Sequence, residues 1–150
     1  MADLRPILLV EDNPKDIELT LAALAKCQLA NEIVVTRDGA EALDYVYRRG
    51  QHEQRAAGDP AVILLDLKLP KIDGLEVLER IKRDPEHRRV PVVMLTSSRE
   101  ESDLVRSYEL GVNAFVVKPV DFNAFFEAIQ DLGMFWAVLN EPPPRGHYGR

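Results

Sequence analysis

The chain has one cysteine, Cys27, so it can form no internal disulfide and no cysteine-rich metal site. Cys27 reads as a small apolar residue buried at a helix end. The three histidines, His52, His87 and His147, stand at spacings that suit no shared metal ion. No apolar run approaches the roughly 20 residues of a membrane span. The longest, such as Ala61 to Leu65 and Met134 to Leu139, fall far short of it. Met1 to Pro6 contain no signal-like apolar stretch, so a cytoplasmic location is expected. Basic charge is scarce as well: 19 Lys and Arg stand against 25 Asp and Glu, a formal net charge of −6. That balance argues against direct nucleic-acid binding, which draws its affinity from excess Lys and Arg.

What remains is a globular composition. Of 150 residues, 46% are hydrophobic, too many for general disorder. The length suits one domain, which would bury roughly 68–70% of the surface of its unfolded chain. Five short apolar runs stand out: Ile7 to Val10, Ile33 to Val35, Val62 to Leu65, Val92 to Leu95 and Ala114 to Val117. Most lack polar alternation, as expected of strands covered on both faces. Helical periods lie between them. Asn13 is placed to cap a first helix with Pro14 at its first position, and Ile17, Leu21 and Leu24 share a face. Ala40 to Arg49 puts Leu43, Val46 and Tyr47 on one stripe, and Leu75, Leu78 and Ile81 form the next. Ser98 to Glu101 reads as a capping box for a fourth helix through Leu104, Val105 and Tyr108. Asp121 caps a fifth, with Phe122, Phe125, Phe126, Ile129 and Leu132 facing inward. The polar stretch from Arg48 to Pro60 reads as a helix end and a loop, and the Pro- and Gly-rich tail from Glu141 as mobile. The basic stretch Arg80, Lys82, Arg83, Arg88 and Arg89 reads as a solvated face. Strand alternating with helix five times implies an α/β fold: a parallel sheet with right-handed crossovers and helices on both faces.

In such a sheet, ligands bind beyond the carboxyl ends of the strands. The runs end in Glu11-Asp12, in Thr36-Arg37-Asp38, in Asp66, in Thr96-Ser97 and in Lys118-Pro119. The second ending looks like an ordinary turn. The others gather three carboxylates, a hydroxyl and a lysine at one edge. A lone Asp after a strand is usually a cap or turn residue, and a lone Lys is usually solvated. The set is what carries weight. Clustered carboxylates need a proton or a cation, and a hard divalent ion such as Mg²⁺ suits oxygen ligands, water and a phosphate partner. Lys and Thr then serve phosphoryl oxygens. The combination suits transfer of a phosphoryl group to an aspartate.

The motifs Leu9 to Asn13, Leu64 to Gly74, Pro91 to Ser97 and Gly111 to Pro119 resemble the receiver domain of two-component response regulators. The resemblance covers residues 5–135 as one receiver domain and leaves 136–150 as a C-terminal extension with a Pro-rich tail. It implies the flavodoxin-like doubly wound sheet, strand order 2-1-3-4-5, with five helices. It implies that Asp66 accepts the phosphoryl group from a sensor histidine kinase. It further implies that Glu11, Asp12, Asp66 and the backbone carbonyl of Lys68 surround Mg²⁺ or Mn²⁺, with Glu11 acting mainly through water. Thr96 and Lys118 would bind phosphoryl oxygens. Thr96, Phe115 and Pro119 would form the switch, with a cis Lys118–Pro119 bond. The domain would be no enzyme in the ordinary sense, though it would hydrolyse its own aspartyl phosphate.

Two positions depart from the common pattern. Phe115 stands where many relatives carry Tyr and has no hydroxyl to hydrogen-bond. Lys68, two residues beyond Asp66, is basic and is expected to alter the lifetime of the aspartyl phosphate. The insert from Tyr47 to Pro60 and the ending Phe135-Trp136 before a Pro-rich tail are similar to stand-alone regulators paired with bacterial and cyanobacterial phytochromes. Phe135 and Trp136 either close the core or form a homodimer patch. With no segment left for an output domain, the expected output is protein–protein contact, phosphate relay or phosphate drainage from the kinase. Three competing readings fit less well. An aspartyl phosphatase usually carries a second Asp at the Lys68 position. A flavin site needs a Ser/Thr/Gly-rich loop where Glu11 to Pro14 stand. A non-phosphorylated binding module has no need of the intact acidic, Thr and Lys set.

Overall fold

The computed structural model describes residues 5–27, 29–97 and 101–131, with backbone alone at Glu101, Ser102, Asp103 and Val105. Five strands form one parallel sheet: β1 (Ile7–Val10), β2 (Ile33–Thr36), β3 (Val62–Asp66), β4 (Val92–Thr96) and β5 (Ala114–Val117). Their spatial order is β2-β1-β3-β4-β5. The helices are α1 (Pro14–Ala25), α2 (Gly39–Tyr47), α3 (Gly74–Arg83), α4 (Glu101–Glu109) and α5 (Phe122–Asp131). This is the flavodoxin-like arrangement with the expected strand order.

Strand pleating sends alternate residues to opposite faces and so builds two cores. Ile7, Leu9, Val62, Leu64, Val93 and Leu95 join Ile17 and Leu24 of α1 and Phe125 and Ile129 of α5. Leu8, Val10, Ile63, Leu65, Val92 and Met94 join Leu43 and Val46 of α2 and Leu78 and Ile81 of α3. Strands β1, β3 and β4 are buried throughout, which is why their runs lack polar alternation. Each leucine or isoleucine so enclosed contributes roughly 1.5–3 kcal/mol relative to exposure.

The helix starts follow local capping. Asn13 Oδ1 accepts the amide hydrogens of Lys15 and Asp16, with Pro14 at the first position. Asp38, Asp73 and Asp121 do the same work for α2, α3 and α5. The capping box proposed for α4 includes Ser98 to Glu100, outside the described residues.

Four expectations need correction or refinement. In α2, Tyr47 packs against the core beside Leu43 and Val46 but is only partly buried, and Tyr45 is the more enclosed aromatic. The Arg55 guanidinium lies over the Tyr45 ring at 4.1 Å and Arg55 Nε donates to the Tyr45 carbonyl at 2.6 Å, so the insert itself covers this side. That insert is more than a loop: it contains a 3-10 turn at Gly50–His52. Tyr108 of α4 is 61% exposed instead of facing the core, and its ring packs edge-on against Phe115 at 4.8 Å. In α5, Phe122 and Phe126 are only half-buried, stacked on each other outside the enclosed Phe125 and Ile129, while Leu132 lies outside the described residues.

Lys82 also leaves the solvated face expected for it. Its ammonium donates to the carbonyls of Arg88 and Val90 and to Asn113 Oδ1, tying the end of α3 to the entries of β4 and β5. Burial of this ammonium lowers its pKa.

Gly74 positions the turn that follows β3. A Cβ there would fall on the backbone carbonyls of Asp66 and Leu67. Gly74→Ala is therefore expected to destabilise the fold by about 1–3 kcal/mol, as overpacked sites do. Urea unfolding of the purified variant checks this, and an unchanged midpoint would mean the turn yields freely.

Candidate functional site

The sheet register brings the strand ends together. Val10 pairs with Leu65, Asp66 with Leu95, and Thr96 with Val117. The ladder runs one residue past the strands. The Glu11 amide donates to the Thr36 carbonyl at 3.0 Å, and the Lys118 amide donates to the Thr96 carbonyl at 2.8 Å. Glu11, Asp66, Thr96 and Lys118 thus lie along one edge. By strand alternation, Glu11, Asp66 and Lys118 are in phase with the α1/α5 face. Thr96 is in phase with the α2/α3 face and is 2% exposed.

Lys118 is the centre of the cluster. Its Nζ donates to Glu11 Oε1 at 3.0 Å and to Asp16 Oδ2 at 2.9 Å, and lies 3.2 Å from Asp66 Oδ1. The Glu11 side chain has no exposed surface, and its second oxygen accepts the Asn13 amide hydrogen at 3.1 Å. Asp66 is buried and Asp12 is exposed. Burial, then the Glu11 charge, raise the Asp66 carboxyl to about 6 against the opposing pull of Lys118. Burial alone would lower the pKa of Lys118. Hydrogen bonds to Asp16 and Glu11, with the charges of Asp66 and Glu11, outweigh burial and raise it.

One oxygen from each of Glu11, Asp12 and Asp66 can be chosen so that all lie within 4.8 Å of one another. Three hard oxygen donors, one of them open to water, suit a divalent ion that keeps part of its hydration. Lys68 is exposed on the turn after β3, Phe115 is half-buried on β5, and Pro119 follows a cis bond as expected. Phe135 and Trp136 lie outside the described residues.

Asp16 escaped the sequence reading. Its signal was weak: one more acidic residue in the first turn of a helix, where Asp and Glu are common anyway. Only the Asn13 cap, which sets how α1 departs from the edge, brings it to Lys118. A groove of about 830 Å³ lined by Tyr47, Glu76, Arg80 and Arg83 lies elsewhere, between α2 and α3. Two of its arginines are paired within α3.

A buried aspartate, an acidic cluster and an enclosed lysine at the carboxyl edge of this sheet are the arrangement of a signalling receiver domain. Residues 7–130 match the family described as the response regulator receiver domain, and the chain belongs to that family. It is homologous to the phytochrome response regulators. It shares 41% identity over 130 residues with response regulator Rcp1 of Synechocystis sp., covering 87% of each chain. It is 74% identical to the bacteriophytochrome response regulator AtBRR, with a TM-score of 0.85 over 93% of this chain and 100% of that one. The phosphorylated cyanobacterial phytochrome response regulator RcpA is 43% identical, with a TM-score of 0.74 over 90% of this chain and 94% of that one. Rcp1 also has a solved Mn²⁺-bound form. Receiver domains bind Mg²⁺ or Mn²⁺ at an acidic site, and the present cluster has that composition.

The raised Asp66 carboxyl has a consequence for stability. A carboxyl whose pKa rises on folding binds more protons folded than unfolded, so stability falls as pH climbs from about 4 to about 6. Above that window the charged form bears the full cost. Asp66→Asn, measured in a chelator, is expected to be more stable than wild type at pH 7, by on the order of 1–3 kcal/mol. The gain should vanish below pH of about 4. Paired unfolding curves at the two pH values test the sign.

Proposed function

We propose that this chain is a stand-alone response regulator whose Asp66 accepts a phosphoryl group from a phosphohistidine of a sensor histidine kinase, in the cytoplasm, the kinase being a bacteriophytochrome. The observation that carries the chemistry is the convergence of Asp66, Glu11, Asp12 and Lys118 on one pocket. The kinship with AtBRR, Rcp1 and RcpA supports the choice of kinase.

A carboxylate oxygen of Asp66 attacks phosphorus, and an acyl phosphate forms as the phosphorus–nitrogen bond breaks. The electron pair of that bond stays on the departing imidazole. Lys118 balances charge on the phosphoryl oxygens, and Thr96 offers its hydroxyl to another. Glu11, Asp12, Asp66 and the Lys68 carbonyl would hold Mg²⁺ or Mn²⁺. The ion, when bound, supplies positive charge against the carboxylates and the incoming oxyanion. Thr96, Phe115 and Pro119 form the switch that converts the modification into an altered surface. Residues 5–135 make up the receiver, with 136–150 as its extension, and homodimer contact through Phe135 and Trp136 rests on the sequence alone. An aspartyl phosphatase and a purely binding module are not favoured: the former lacks an acid at Lys68, and the latter leaves the assembled pocket without a use.

Intact-protein mass after incubation with acetyl phosphate and Mg²⁺ tests this reading. One added phosphoryl group is expected in wild type, and none in Asp66→Asn or with a chelator. Absence of added mass in rapidly quenched wild-type samples would overturn it. Lys68 is exposed on the turn after β3, two residues beyond Asp66. Lys68→Ala is expected to change the decay rate of the acyl phosphate severalfold, and an identical rate would remove Lys68 from the chemistry.

A further inference from the structure

Lys118 carries three N–H donors. Its two well-formed hydrogen bonds go to Glu11 and Asp16, and Asp66, the group to be modified, is the most distant of its three carboxylate partners at 3.2 Å. Glu11 is enclosed and fixed by the Asn13 amide. Asp16 differs: its side chain is 27% exposed, it stands on the first turn of α1, and it lies outside the cluster of candidate metal ligands. It is therefore the partner that can release Lys118 at least cost, because its carboxylate can be rehydrated in place.

Resting on the phosphoryl-acceptor reading above, we propose that Asp16 is a positioning residue that holds the Lys118 ammonium toward α1 and competes with the phosphoryl oxygens for it. In the unmodified domain Asp16 shares the lysine, and the modified Asp66 must win it back. Asp16 thereby sets how tightly the domain holds its modified state. No proton moves in this exchange; one hydrogen bond is traded for another.

Beryllofluoride with Mg²⁺, which occupies a carboxylate as a phosphoryl mimic, gives the equilibrium readout by titration. Asp16→Asn and Asp16→Ser are expected to tighten its binding roughly 2–10-fold, the range of a modest, partly exposed ion pair. Asp16→Glu should restore affinity toward wild type. Glu18→Gln removes an equal charge from an exposed position on the same helix and should change nothing. In chelator, the Lys118 Nζ resonance should shift in Asp16→Asn and stay in place in Glu18→Gln, a signature independent of any bound ion. Two neutral variants guard against a misfolded one, and thermal midpoints confirm that each is folded. Wild-type affinity in both neutral variants, or an equal gain in Glu18→Gln, would overturn the role of Asp16 alone. Failure of wild type itself to bind beryllofluoride would instead overturn the phosphoryl-acceptor reading, and this inference with it.

Discussion

Glu11 is a carboxylate with no exposed surface, next to the buried Asp66, and Lys118 is what makes that pairing tenable. Two unpaired carboxylates taken out of water would each incur a desolvation cost of several kcal/mol. The ammonium between them lowers that cost for the pair. It does so incompletely: burial and the Glu11 charge outweigh its pull, and Asp66 keeps a carboxyl shifted up to about 6. The pocket is thus held together and left short of positive charge at the same time. Three carboxylates, Glu11, Asp16 and Asp66, meet one lysine, and Asp12 lies beside two of them. A site built in this way favours cations and penalises its own reactive group.

The rest of the fold serves to keep these groups at one edge. Parallel pairing puts every carboxyl end on the same side, and the order β2-β1-β3-β4-β5 places β3 between β1 and β4. The pleat then selects which residues share a face. Because Glu11, Asp66 and Lys118 are in phase with Leu9, Leu64 and Val116, they lie over α1 and α5. The Asn13 cap directs α1 away from this edge, which brings Asp16 within reach of Lys118. Gly74 leaves room for the chain to turn against the Asp66 backbone without pushing the reactive strand aside.

Strand and helix identities were readable because buried parallel strands and capped helices leave distinct local patterns. Ile7 to Val10 and Val62 to Leu65 are uniformly apolar, and Asn13-Pro14 and Asp121 stand at the caps they form. Strand order and the site came from motifs, since register is not written in any single strand. What escaped the sequence were contacts between segments far apart in the chain. Asp16 meets Lys118 across 102 positions, and Lys82 meets Asn113 across 31. Tyr45 lies off the stripe of Leu43, Val46 and Tyr47, and it is covered by the guanidinium of Arg55, from within an insert that has no periodic signal. Tyr108 fits an amphipathic pattern yet remains exposed, because its contact is the edge-on ring of Phe115 on the neighbouring strand.

That ring pair also lies close along the strands to the edge that holds the acidic cluster. Phe115 pairs in register with Met94, two residues before Thr96, and lies three residues before Lys118. At about 3.3 Å per strand residue, the route from lysine to ring is about 10 Å of continuous backbone. Phe115 has no hydroxyl, so its half-buried ring is held by apolar contact alone. Outward, the ring already has the exposed Tyr108 against it, an aromatic contact of about 0.5–1.5 kcal/mol beyond the area it buries. The ring is thus held by packing rather than by a directional bond. Packing of that kind depends on how β4 lies against β5, the strand pair whose ends join Thr96 and Lys118 through their backbones.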